Sequence, residues 1–122
     1  MLSRQEVAQH IRKQRRLEQL GTDNPRCGVC GDTRWQCIEL HHTAGKDAVP
    51  DHTVLTCRNC HRMLSDDQRD HPRYDPERDG PWQAIGHFLL GLADMLRLLI
   101  EKLREYGLLL TERSAQHRSA ER

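Results

Sequence analysis

Cys27-Gly28-Val29-Cys30 and, twenty-six residues further on, Cys57-Arg58-Asn59-Cys60 decide how this chain folds. Two C-x-x-C pairs at that separation match a four-thiolate zinc site, each pair wrapping one side of a tetrahedral ion. The chain has 122 residues, only 36% of them hydrophobic and 4% aromatic, so it is one small domain with a modest apolar core. A core that sparse needs a staple, and a bound ion adds the missing folding free energy. The N-terminus, Met1-Leu2-Ser3-Arg4-Gln5-Glu6, carries early charge where a secretory signal has a long apolar core. The expected compartment is therefore the cytoplasm, whose reducing conditions favour metal ligation over disulfides. The fifth cysteine, Cys37, reads as a small apolar strand residue, the usual fate of a free thiol.

Working outward, Arg34 to His41 has the β-branched and aromatic content of a strand, with Trp35, Cys37, Glu39 and His41 on one face and Ile38, Leu40 and His42 on the other. A loop with Gly45 and Pro50 follows, then a short strand at Thr53-Val54-Leu55, the second knuckle, and a helix from His61 to Gln68. A mixed Cys/His finger fits poorly, because only ten residues separate Cys30 from His41 and because His41 and His42 are adjacent. If four thiolates saturate the zinc, the histidines need a separate cause. Tying the helix start to the strands can bring His61 near His41, with His42 left over: two imidazoles for an open metal site and a third as a base.

The pattern of two C-x-x-C pairs, Glu39-Leu40-His41-His42 before a loop, and Leu55-Thr56-Cys57-Arg58-Asn59-Cys60-His61-Arg62 resembles the HNH nuclease family, the ββα-metal fold. The resemblance covers Arg26 to Gln68. It implies an α+β fold in which His41 and His61 hold a catalytic divalent ion (Mg²⁺, Mn²⁺ or Ni²⁺), His42 is the general base, and the cysteines hold structural Zn²⁺. His52 stands where the family's middle Asn braces the loop carrying the base, so the chain reads H-H-H; a histidine can donate a similar hydrogen bond. The implied reaction is phosphodiester hydrolysis, leaving 5′-phosphate ends. An activated water and a cation at the developing charge are what that reaction needs. Adjacent strand residues point opposite ways, which suits a base and a leaving-group metal on opposite sides of phosphorus.

The flanks add a partner and a surface. Net charge is only +1, but residues 1–63 carry ten Lys/Arg against seven Asp/Glu, a basic bias compatible with nucleic acid, most simply double-stranded DNA. Lys46, Arg58 and Arg62 are placed to meet flanking phosphates without reading sequence. Ser3-Arg4-Gln5-Glu6 fits a capping box opening a basic helix over residues 1–21, with Val7, Ile11 and Leu20 as a thin apolar stripe and Arg12 to Arg16 as a solvated run. The zinc domain spans 22–70, and Pro72, Pro76, Gly80 and Pro81 mark a linker over 71–83. From 84 to 113, Ile85, Leu89, Leu92, Leu96, Leu99, Leu103, Tyr106 and Leu110 alternate spacings of four and three, a heptad seam. That seam suits a homodimer or a partner helix, packing on its own domain, or a membrane surface. Asp94 and Arg97 argue against a transmembrane segment. A polar tail fills 114–122. Two non-catalytic readings fit the same residues: a zinc-ribbon-like binding module with idle histidines, and an interaction protein whose heptad helix does the recruiting.

Overall fold

A computed structural model describes residues 1–120 of the chain. The fold is α+β, with three helices and a two-stranded antiparallel sheet. Helix α1 (Arg4–Leu20) opens on the predicted capping box: Ser3 Oγ accepts from the Glu6 N–H at 3.1 Å, and the Glu6 carboxylate accepts from the Ser3 N–H at 2.7 Å. It closes at Gly21, whose left-handed backbone (φ 75°) lets its N–H reach the carbonyls of Leu17 and Glu18. Only the last turn enters the core. Leu17 and Leu20 are buried while Val7 and Ile11 of the predicted stripe stay exposed, because the helix meets the domain by its C-terminal end alone. Arg16 departs from the expected solvated run, donating from Nη2 to the Ile38 carbonyl at 2.6 Å and clamping α1 to the sheet.

The first strand begins later than its composition predicts. Asp32 accepts from the backbone N–H and the guanidinium of Arg34, and the chain turns through a short 3₁₀ segment, Trp35–Cys37, before extending. Strand β1 (Ile38–His42) then pairs with β2 (Thr53–Cys57), His41 opposite Val54 and His42 opposite Thr53. Cys37 lies in the 3₁₀ turn, half-buried. Helix α2 (Arg58–Gln68) starts three residues earlier than expected because the knuckle is its cap: Cys57 Sγ accepts from the Cys60 N–H. Ile38 and Leu64 are fully buried, and with Leu20, Val29, Leu98 and three of the cysteines they make the core.

Asp70 to Asp79 forms no regular element, as its prolines predict. Helix α3 (Gly80–Ala120) begins inside the predicted linker and runs through the described part of the predicted tail. Asp79 Oδ1 accepts from the Trp82 N–H at 3.2 Å, and Pro81 occupies the first turn, where a missing N–H costs nothing. At the far end, residues 114–120 contain neither Gly nor Pro to stop the helix; the last two residues of the predicted tail, 121–122, lie outside the described part.

Helix α3 docks by an unexpected side. Gly91 is buried where a Cβ would come within 1.6 Å of the Thr43 carbonyl oxygen, so helix backbone rests directly on the loop after β1. One and two turns on, Met95 and Leu98 pack on the core. The charges that interrupt the apolar run are anchors: Arg97 bonds the Asp67 carboxylate of α2, and Asp94 Oδ2 lies 2.7 Å from His71 Nε2. By length and composition alone α3 is apolar enough to cross a membrane, the mean hydropathy reaching 1.4 over an eighteen-residue window.

Candidate metal centre and active site

The four cysteine Sγ atoms lie within 4.8 Å of one another, and Cys30 and Cys57 Sγ are 3.6 Å apart. Zinc–sulfur bonds of about 2.3 Å set the edge of an S₄ tetrahedron near 3.8 Å, so the cluster has the size of a structural metal site such as zinc. All five cysteines are free. The knuckle backbone also fits thiolates. Cys27 Sγ accepts from the Val29 and Cys30 N–H groups at 3.4 and 3.5 Å, and Cys57 Sγ from the Cys60 N–H at 3.5 Å. Burial pushes the Cys27 thiol up, but N–H groups of Cys30, Cys57 and Val29 outweigh it and bring its pKa down to about 7. Burial and the neighbouring sulfurs drive Cys60 well above the ordinary thiol range. One sulfur ready to ionise beside others that resist is the state a dication would resolve, since its charge stabilises every thiolate at once.

The histidines make a second group. Helix α2 carries His61 one residue past the second knuckle, and β1 presents His41, so their rings meet edge to face with centroids 5.3 Å apart. His41 is almost wholly buried, and its Nε2 has no hydrogen-bond partner. Burial, with His61 and His42 nearby, lowers its pKa to about 4, so the ring is neutral and its lone pair available. His61 Nδ1 lies 3.5 Å from Glu39 Oε2, and Glu39 also faces Arg58 at 3.6 Å. Among the described residues only the cysteines gather as three or more potential metal ligands; His41 and His61 meet as a pair.

His42, next in the strand to buried His41, is half-buried. Its backbone is held by a residue the sequence did not advertise. Gln68 Nε2, at the end of α2, donates to the His42 carbonyl at 2.7 Å and to that of Thr43 at 3.4 Å. Gly91 of α3 presses on the same loop. His52 instead stands edge-on to Phe88 of α3, ring centroids 5.2 Å apart, and its side chain makes no hydrogen bond to the His42 loop. Nothing in the local sequence signals Gln68, because its partner lies twenty-six residues away.

Two open clefts flank α2. One, about 930 Å³, is lined by His61, Glu39, Arg58, Arg62 and Arg69 among others. The other, about 560 Å³, holds Lys46, Arg69, Arg73, His71, His87 and Gln68. Arg69 belongs to both, so the predicted cations Arg58, Arg62 and Lys46 fall on one basic band, to which Arg69 and Arg73 add. Among the described residues Lys46, Arg62 and Arg73 have no acidic partner. No family model, curated protein or solved structure matches the chain.

Proposed function

We propose that the chain is a cytoplasmic HNH-type endonuclease, built on a ββα-metal core, that hydrolyses phosphodiester bonds in double-stranded DNA. The observation that carries the reading is the buried, unpartnered Nε2 of His41 beside the His61 ring. A buried polar atom without a partner costs about 1–3 kcal/mol, and a metal on His41 and His61 removes that cost where no protein group does. The donors would suit a divalent ion: His41 and His61 would hold it through their imidazoles, with the Glu39 carboxylate 3.5 Å from His61 Nδ1.

When bound, that ion supplies Lewis-acid stabilisation of the charge developing on the scissile phosphate and its leaving 3′ oxygen. His42 takes a proton from the attacking water at its imidazole nitrogen and is returned to the neutral form by solvent. Gln68, gripping the His42 carbonyl, fixes the backbone from which that ring projects, the brace that position 52 was expected to supply. Arg58 and Arg62 border the cleft of His61, and Lys46 and Arg73 continue the band beyond Arg69, so a duplex laid along it has its phosphates met on both sides of α2.

Nicking of supercoiled plasmid with Mg²⁺, Mn²⁺ or Ni²⁺ tests the reading. Wild type is expected to cut, and His42→Ala and His61→Ala to lose at least a hundredfold in rate while keeping the wild-type melting temperature. Wild type that cuts no DNA under any of these metals, or a His42→Ala variant that cuts equally well, sinks it.

A further inference from the structure

The predicted heptad seam is not the side by which α3 meets its own domain. Docking uses Gly91, Asp94, Met95 and Leu98, whereas six of the eight seam residues, Ile85, Leu89, Leu96, Leu103, Tyr106 and Leu110, stay exposed, from 49% at Leu96 to 70% at Leu103, and Leu92 and Leu99 are half-buried. From residue 103 to 118 the helix is exposed on every side. At about 1.5 Å per residue that is a rod of roughly 24 Å standing clear of the domain. We propose that α3 pairs along this seam with α3 of a second copy of the chain, making a two-helix coiled coil and a homodimer.

Area supports the pairing. With Trp82 and Ile100 on the same side, the stripe exposes on the order of 900 Å² of apolar side chain per copy, above the patch sizes usual on monomers and close to what each partner of a stable complex buries. The helix also holds two glycines that nothing in one chain explains. Gly86 and Gly107 cost roughly 1 kcal/mol each in a helix interior, and a Cβ at either would meet nothing within 4 Å. They fall with Ala93 and Ile100 in one row beside the seam, where the three small residues let a second helix come close.

The occupant follows from charge. Positions flanking a heptad seam select a partner when they are charged. Here they are Gly86, Ala93, Ile100 and Gly107 on one side and Phe88, Met95, Lys102 and Leu109 on the other, of which Phe88 and Met95 already meet the chain's own domain, so a single lysine is the only charge, and a second copy meets no repulsion. A membrane fits less well. Helix α3 balances Arg97, Lys102, Arg104, Arg113 and Arg118 against Asp94, Glu101, Glu105 and Glu112, lacking the strongly basic face of an interfacial helix. Crossing a bilayer would strip Asp94 and Arg97 from His71 and Asp67.

Sedimentation equilibrium of the full chain over a wide concentration range tests the proposal. Wild type is expected to sediment as a dimer at micromolar concentration. Leu103→Glu and Leu110→Glu, at positions too exposed to disturb folding, should weaken self-association at least a hundredfold without moving the melting temperature of the dilute protein. Arg104→Glu, off the seam, should leave the dimer intact. A wild type that stays monomeric throughout overturns the proposal, as does a dimer that survives both glutamates, or a monomer that partitions onto phosphatidylcholine–phosphatidylglycerol vesicles. None of these readouts involves DNA cutting, so dimerisation and nuclease activity can fail independently.

Discussion

Cys60 and His61 are neighbours on α2, yet they belong to centres built on opposite plans. The cysteine centre is closed: four sulfurs within 4.8 Å, drawn from two knuckles and supported by backbone N–H groups. The histidine centre is open: two rings, one unpartnered nitrogen, and a cleft of about 930 Å³ beside it. A saturated ion can only hold parts together, while an ion with vacant positions can meet a substrate. On the function proposed above, one short helix start would serve architecture through one residue and chemistry through the next.

The largest effect expected from breaking this contrast is at the closed centre. Cys57→Ser or Cys60→Ser, or removal of zinc by a chelator, should abolish cooperative folding of residues 22–70, seen as loss of the thermal transition by circular dichroism. Retention of the wild-type transition after metal removal would refute a structural role. At the open centre, His42→Ala should slow plasmid nicking by 10²–10⁴-fold with the transition unmoved, the reverse of the cysteine result.

Acid provides a third separation. His41 has its pKa lowered to about 4 in the folded chain against about 6.5 for an ordinary histidine. Because the unfolded state takes up the proton first, this residue's contribution is fully present above pH 6.5 and is lost as pH falls toward 4. The loss amounts to about 3 kcal/mol at most. Denaturation of zinc-loaded wild type and His41→Asn across that window should show a steeper decline for wild type; parallel curves would remove His41 as the cause.

Smaller effects probe how the open centre is held. Gly91→Ala must displace the Thr43 backbone or lift α3, at a cost of about 1–3 kcal/mol, and should raise hydrogen exchange in the loop after β1 before it affects the knuckles. Arg62→Ala should weaken DNA binding modestly and lower the salt dependence by about one counterion. An unchanged salt slope would take Arg62 off the phosphate path.

Much of the closed centre was legible in the sequence, because a C-x-x-C turn is local: each pair fixes its own geometry within four residues, and only two such turns had to meet. The capping box at Ser3 and Glu6 and the irregular segment after Asp70 were legible for the same reason. The start of β1 was not legible, since an Asp32–Arg34 turn competes locally with the strand preference of Trp35 and Ile38. The span of α3 was underestimated, because Gly80 and Pro81 usually mark loops but fit a first turn once Asp79 caps it.

By itself the sequence determined the residue types of the cysteine cluster and of the histidine pair beside it, the order of strands and helices, and the heptad seam, all of which depend on neighbours or on a repeat. Tertiary structure alone decided that His41 is buried while His42, next in the strand, is only half-buried, that His52 turns toward Phe88 while Gln68 grips the His42 loop, and that α3 docks through Gly91 and leaves most of its seam exposed. The physical reason is common to all three. Each depends on which surfaces remain once the knuckles have joined the sheet to α2, and contacts between residues distant in the chain leave no periodic trace in it.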